Sequence, residues 1–336
     1  MKILAGDIGG TKSDLAIFDT DKPQVLQFGM SFLNHEQANL ISMLQNFIAN
    51  AGMSIQAACL AVAGTVRNGR SDMPNLSWVL DEQEISVALG IERVTLINDL
   101  AATAHGMLTL PPEELMVINP GIPEAKGNIA LIAAGTGLGE AILFHHEKEG
   151  YQVAASEGGH VDYAPKNEEE IELLRYLWSR FGHASWERVV SGLGLVNIYD
   201  FLSQTAKVAE PTQVTSRIMA AADRAAAIAK TAQLKESPRC IQAMDIFLHN
   251  YGAAAGNLAL EALATGGIYI GGGIAPKLPR DSWKGSFMHA FSNKGRFADM
   301  LSNIPIKLIL EPKTALLGAA AYAANWDDFI VNRIED

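Results

Sequence analysis

Ile3-Leu4-Ala5-Gly6-Asp7-Ile8-Gly9-Gly10-Thr11-Lys12-Ser13-Asp14-Leu15-Ala16-Ile17-Phe18 reads as an apolar strand, a glycine and threonine turn, and a second apolar strand. The device returns at Ile129-Ala130-Leu131-Ile132-Ala133-Ala134-Gly135-Thr136-Gly137-Leu138-Gly139, after which Glu140-Ala141-Ile142-Leu143-Phe144 resumes the strand. Glycines at a hairpin tip permit positive φ and carry no Cβ, so backbone N–H groups are free to converge on an anion, with a threonine hydroxyl added. Two such cradles facing one another would hold a polyphosphate from both sides.

At 336 residues the chain is longer than one core usually organises, which predicts two domains with a cleft between them. Apolar residues at 49% against 19% charged supply a large core of ordinary globular composition. Thirty-seven acidic against 26 basic side chains give a net charge of −11, and no Lys/Arg-rich tract interrupts it, so neither nucleic acid nor an anionic membrane is expected as a partner. A phosphate ligand must then be held by local N–H groups and a metal. Cys59 and Cys240, the only cysteines, exclude a disulfide framework and a multi-cysteine zinc site, which points to a reducing compartment. Asp7, Gly9 and Gly10 interrupt the first apolar run before it reaches signal length, and no run approaches a bilayer span. The expected location is the cytoplasm.

Beyond the first hairpin, a strand is expected near Val25–Met30. Leu40, Ile41, Leu44, Phe47 and Ile48 then recur at helical spacing until Ala51-Gly52. Ala57–Ala63, closed by Gly64-Thr65, and Val94–Ile97, closed by Asn98-Asp99, read as buried strands. If these are parallel neighbours of the first strand, their carboxyl ends bring Asp7, Thr65, Asn98 and Asp99 to one sheet edge, where ligands of open α/β sheets gather. Pro111-Pro112-Glu113-Glu114 reads as a domain junction. Thereafter the pattern predicts a strand near Tyr151–Ala155, helices at about 168–182, 188–204, 211–232 and 238–264, and a strand ending in Gly271-Gly272-Gly273. A last strand at Pro305–Ile309 and a small-residue helix at Lys313–Ala324 follow.

The chemistry-bearing residues fall into groups. Asp7 beside a phosphate cradle is unfavourable unless a divalent cation lies between them, which suits Mg²⁺; Lys12 is either a phosphate contact or solvated. Asn98 and Asp99 at a strand-to-helix join suit an N-cap, and equally a general base with an orienting amide, because a helix N-terminus favours the ionised carboxylate. Glu157 and His160 in Ser156-Glu157-Gly158-Gly159-His160 suit the vicinal hydroxyls of a sugar, or form an ordinary loop. Glu187 is either a ligand contact or a first-turn acid. Gly271-Gly272-Gly273 is either a strand stop or a wall on which a nucleobase lies.

Gly6-Asp7-Ile8-Gly9-Gly10-Thr11, Leu96-Ile97-Asn98-Asp99, Ala134-Gly135-Thr136-Gly137-Leu138-Gly139, Ser156–His160, Glu187–Gly192 and Gly271–Gly273 follow one another in the order of the bacterial glucokinase family, which the chain resembles nearly end to end. That family stands within the actin-like, hexokinase-like sugar-kinase ATPases. The resemblance implies an α/β, two-domain actin-like/hexokinase-like ATPase fold with a ligand cleft, residues 1–110 plus about 312–336 forming a small domain and 111–311 a large one. It implies ATP-dependent phosphorylation of D-glucose to glucose 6-phosphate at the entry to glycolysis, with Asp99 as catalytic base. Asn98, Asp99, Glu157, His160, Glu187, Gly64, Thr65 and Gly137 would contact the sugar. Gly6, Asp7, Ile8, Gly9, Gly10, Thr11, Gly135, Thr136, Gly271 and Gly272 would hold ATP, and Asp7 Mg²⁺. Sugar and ATP are the implied partners, and a homodimer is compatible with it. The cysteine-rich zinc motif of the repressor/ORF/kinase branch does not follow His160, so no structural zinc is expected; nor is a DNA-binding helix pair, since the hairpin begins at Met1. Other family members often carry Asn at the position of Lys12. A kinase for fructose, mannose or an N-acetylated amino sugar is the alternative within enzymes, and a non-catalytic sugar-sensing nucleotide switch the alternative outside them.

Overall fold

A computed structural model describes residues 1–73, 76–205 and 209–324, so the expected domain segment beyond 324 lies outside the described residues. The chain divides into two compact units, one of Met1–Pro112 with the chain from Glu311, the other of Glu113–Leu310.

The first unit contains β1 (Lys2–Ile8), β2 (Lys12–Asp19), β3 (Lys22–Leu33), α1 (Leu40–Ala51) and β4 (Ala57–Val62). The small meander β5 (Val66–Arg67), β6 (Arg70–Met73) and β7 (Trp78–Asp81) follows, then α2 (Glu82–Leu89), β8 (Arg93–Asn98) and α3 (Asp99–Met107). A closing helix, Thr314–Ala324, completes it. The main sheet runs β3-β2-β1-β4-β8, antiparallel through the first three strands and parallel from β1 to β4 to β8. Because strand side chains alternate between faces, β1 feeds two cores. Leu4 and Ile8 pack with Leu40, Leu44 and Phe47 of α1, whereas Ile3 and Ala5 meet Ala102 of α3 and Leu316, Ala319, Ala320 and Ala323 of the closing helix. The second face is built from small residues, so the helices approach closely. A Cβ on Gly106 would fall on the Thr314 carbonyl oxygen, and one on Gly318 on that of Ala102.

The second unit contains β9 (Leu115–Asn119), β10 (Ile129–Ala134), β11 (Leu138–His146) and β12 (Gly150–Ser156), then α4 (Glu168–Phe181) and α5 (Gly192–Thr205). Next come α6 (Thr212–Ala220), α7 (Arg224–Gln233), α8 (Pro238–Glu261), β13 (Gly267–Gly271), α9 (Ser286–Ser292), α10 (Ala298–Ser302) and β14 (Ile306–Ile309). Its sheet runs β12-β11-β10-β13-β14-β9, antiparallel through β12, β11 and β10, parallel from β10 to β13 to β14. The first five strands repeat the order and directions of the first unit, each beginning with its glycine hairpin. The long helix α8 is buried against this sheet through Phe247, Tyr251, Ala255 and Leu258.

Two helical expectations need correction. The single helix expected over 211–232 is two, because Ala221 is extended and Asp223 accepts the Ala226 N–H as the N-cap of α7. The helix expected from 188 begins at Gly192, after a 3₁₀ turn at Trp186–Arg188.

Candidate active site

In the first unit the parallel register sets Asp7 opposite Ala61 and Ile8 opposite Val62, with Ala61 opposite Ile97 and Val62 opposite Asn98, so the carboxyl ends of β1, β4 and β8 are level. The Ile8 carbonyl accepts the Ala63 N–H at 3.1 Å, and the Ile8 side chain lies in the core. Gly6 lies inside β1, where a Cβ would stand 2.6 Å from Leu60 Cδ2. At the hairpin tip Gly9 N–H donates to the Lys12 carbonyl at 3.1 Å, and Gly10 and Thr11 are exposed. Asn34, which is buried, fixes this turn. Its Nδ2 donates to the Gly9 carbonyl at 2.8 Å, its Oδ1 accepts the Ser13 hydroxyl at 2.7 Å, and its backbone N–H donates to the Thr11 carbonyl at 2.9 Å.

Asn98 caps α3, its Oδ1 accepting the Leu100 and Ala101 N–H groups at 2.9 and 3.2 Å while Nδ2 donates to the Gly64 carbonyl at 3.2 Å. Thr65 is exposed beside Gly64. Asp99, half-buried, is the first residue of α3, and its Oδ1 accepts the Leu100 N–H at 2.9 Å. The capping and ligand roles expected for the Asn98-Asp99 pair are therefore compatible in one geometry. Burial pushes the Asp7 carboxyl up to about 6, helped by the like charges of Asp99 and Asp14 and opposed by Lys12. Lys12 is exposed and pairs with Asp14 at 3.0 Å. Among the described residues no cluster of three or more His, Cys, Asp or Glu side chains is placed to hold a metal ion. Mg²⁺ needs only one or two carboxylates when phosphates and water supply its other ligands, and an Asp7 carboxyl held up by burial and by like charge beside it fits that use.

In the second unit Gly135 N–H donates to the Gly137 carbonyl at 2.9 Å, and Thr136 is exposed at the tip. The Glu187 carboxylate accepts the Leu138 N–H at 3.1 Å, and a Cβ on Gly137 would fall on Glu187 Oε2. Ser191 Oγ ties this segment to α5, donating to the Glu187 carbonyl at 2.7 Å and accepting the Gly194 N–H at 2.9 Å, while Gly192 N–H donates to the Gly135 carbonyl at 2.8 Å. Gly271 ends β13. Gly272 takes φ +85° and presses so close to Ala134 that a Cβ would strike the Ala134 carbonyl, which excludes any side chain. Beneath both strand ends the buried Tyr251 hydroxyl accepts the Ala134 N–H at 3.3 Å. Glu157 and His160 are exposed on the turn after β12, where His160 N–H donates to the Glu157 carbonyl at 2.9 Å and His183 Nε2–H donates to the His160 carbonyl at 3.0 Å.

The structure thus brings Gly135–Gly137, Glu187, Gly271-Gly272 and the Glu157–His160 turn to one end of the second sheet, and Asp7–Thr11, Gly64, Asn98 and Asp99 to one end of the first. Of the two freedoms glycine offers at the hairpin tips, positive φ is used at none of Gly9, Gly10, Gly135 and Gly137. At Gly9 and Gly137 the requirement is space, since a Cβ would meet the Lys12 carbonyl at 2.9 Å or the Glu187 carboxylate. Asn34, Ser13, Ser191 and Tyr251 escaped the reading of the sequence. Only Ser191, three residues before an N–H it accepts, carries the local pattern of a cap.

Two hairpin-led sheets of the same topology, with carboxylates at their strand ends, define the class of two-domain actin-like sugar-kinase ATPases. A crystal structure of glucokinase from an Antarctic psychrotroph superposes with a TM-score of 0.83 at 30% identity, covering 96% of this chain and 99% of that one. A glucokinase from Streptomyces griseus in complex with glucose and AMPPNP shares the fold, with a TM-score of 0.67 at 20% identity over 96% and 99%. The glucokinase family model matches residues 4–326, and the glucokinase of Nostoc punctiforme is 39% identical over 96% of this chain and 98% of its own. The chain belongs to the glucokinase family.

Proposed function

We propose that the protein is a glucokinase, transferring the γ-phosphoryl group of ATP to the 6-hydroxyl of D-glucose, and that its two compact units are the two domains of that enzyme. The observation that carries this reading is Asp99, a half-buried carboxylate at the first position of α3 in a chain that matches the glucokinase model almost throughout. A helix N-terminus stabilises the ionised form, which a base requires. As the bond from the sugar oxygen to phosphorus forms and the β,γ-bridging P–O bond breaks, Asp99 takes the hydroxyl proton and ADP leaves. Asn98, Gly64 and Thr65 orient the sugar beside it, and Glu157, His160, Glu187 and Gly137 hold its remaining hydroxyls.

Gly9 and Gly135 spend their N–H groups inside their own turns, so the amides offered to phosphate are those of Gly10, Thr11 and Thr136. Gly6, Ile8, Gly271 and Gly272 act through backbone shape. Asp7 would hold Mg²⁺, which when bound neutralises phosphate charge. The reaction opens glycolysis in the cytoplasm; supporting this, among the described residues no helix is long and apolar enough to cross a membrane, and both cysteines are buried and free.

The test is Asp99→Asn. It is expected to lower kcat by about 10²-fold or more with little change in glucose affinity. Near-normal turnover would refute the assigned base. A panel of hexoses with the product identified by NMR would expose a preference for fructose, mannose or an N-acetylated amino sugar, and product with none of them would overturn the kinase reading.

A further inference from the structure

Strand β11 leaves the second hairpin and passes directly beneath the turn that carries Glu157 and His160. The Leu138 carbonyl occupies the space a Cβ on Gly159 would need. Two residues on, Glu140 Oε2 occupies the space of a Cβ on Gly158, and Glu140 Cδ stands only 2.9 Å from that position. Glu140 is 6% exposed and lies opposite Ser156 in the ladder, whose hydroxyl accepts the Gly158 N–H at 3.0 Å. Gly159 is buried while Glu157 and His160 are exposed, so the turn rests its backbone on β11 and presents its polar side chains outward.

We propose that Glu140 is a positioning residue for the sugar-binding turn: its neutral carboxyl seats Gly158 and so sets Glu157 and His160, whereas its ionised form unseats them. This rests on the glucokinase reading given above. Burial pushes the Glu140 carboxyl up to about 7, and the like charge of Glu261, exposed at the end of α8, adds to it. The buried Tyr251 hydroxyl, also on α8, is the other titratable group coupled to it. A carboxylate forming there, with no cation beside it among the described residues, must move toward water, and the Gly158 backbone lies in contact with it. Glucose affinity therefore falls as the pH rises past about 7, while the phosphoryl-transfer step keeps its own profile.

The experiment measures glucose Kd by calorimetry and kcat by a coupled assay from pH 6 to 8.5, in the wild type, Glu140→Gln and Glu261→Gln. In the wild type Kd is expected to rise by up to tenfold per pH unit above 7, the limit for one coupled proton. Glu140→Gln, which keeps the neutral shape, should hold the low-pH Kd across the range, with kcat following the wild-type profile. Glu261→Gln removes only the exposed like charge and should move the Kd rise to lower pH, an effect no merely structural role produces and one that remains measurable if Glu140→Gln folds poorly. A wild-type Kd independent of pH, a Glu140→Gln Kd that rises as the wild type does, or an unmoved midpoint in Glu261→Gln overturns the proposal. Wild-type protein that neither binds nor phosphorylates glucose would instead overturn the glucokinase reading.

Discussion

Replacing Asn34 by alanine should damage the first phosphate hairpin from beneath. The side chain makes two hydrogen bonds, to the Gly9 carbonyl and from the Ser13 hydroxyl, each contributing about 1 kcal/mol net. Ser13 is fully buried, so its hydroxyl left without a partner costs about 1 kcal/mol more, for a total near 3 kcal/mol. Ser13→Ala should cost about 1 kcal/mol alone, and the double variant less than the sum of the two, since both remove one shared bond. Asn34→Asp is the sharper control. It keeps an acceptor for Ser13 but turns an oxygen toward the Gly9 carbonyl, and should destabilise at least as much as alanine despite its matching shape. Urea unfolding followed by circular dichroism reads the stability, and the coupled assay should show a raised ATP KM with glucose KM nearly unchanged. An alanine variant within about 0.5 kcal/mol of the wild type, or an aspartate variant indistinguishable from it, would refute the role of Asn34 as the clamp of this turn.

Glu187→Gln retains an acceptor for the Leu138 N–H and should raise glucose KM with the fold intact, whereas Glu187→Ala should in addition lower the melting temperature; equal behaviour of the two in thermal melts would contradict the hairpin contact. Glu140 has a folded pKa raised above its unfolded value, so its stabilising contribution is complete below about 4.5 and lost as the pH rises through about 7. Glu140→Gln should therefore remove about 3 kcal/mol of the decline in unfolding free energy between those pH values, measured by denaturant titration at each pH. Gly318→Val places a branched side chain on the Ala102 carbonyl and should destabilise the first unit by about 3 kcal/mol or more, checked by calorimetric melting; a neutral effect would mean the two helices are not in backbone contact.

Much of the fold was legible because its punctuation is local. Glycine and threonine between apolar runs marked both hairpins, and Asn98 at a strand-to-helix join announced its cap. The β5–β7 meander left no trace, since strands of two to four residues are too short for alternation to register. The alanine-rich run around 221 satisfied helical propensity on both sides of a real break, and only Asp223, as a cap, distinguishes two helices from one. The Asn34 clamp was hidden by distance along the chain: it reaches Gly9 only because β2 and β3 fold the chain back on itself. Glu140 read simply as the residue at which a strand resumes, because what singles it out is the backbone of Gly158 above it. Of the two freedoms glycine brings to a hairpin tip, the missing Cβ is the one used at Gly9 and Gly137, and positive φ is not.

The closing helix bears on how the molecule is made. Leu316, Ala319, Ala320 and Ala323 complete a core whose other members all lie within the first 102 residues. Between them the ribosome must deliver the whole of the second unit, roughly 200 residues, which takes about ten to forty seconds at about 5–20 residues per second. Throughout that interval one side of the amino-terminal sheet has emerged without its cover, while the intervening segment holds everything needed for its own collapse. The amino-terminal core is therefore expected to reach its native packing only after the helix at Thr314–Ala324 has been made, although its strands are translated first.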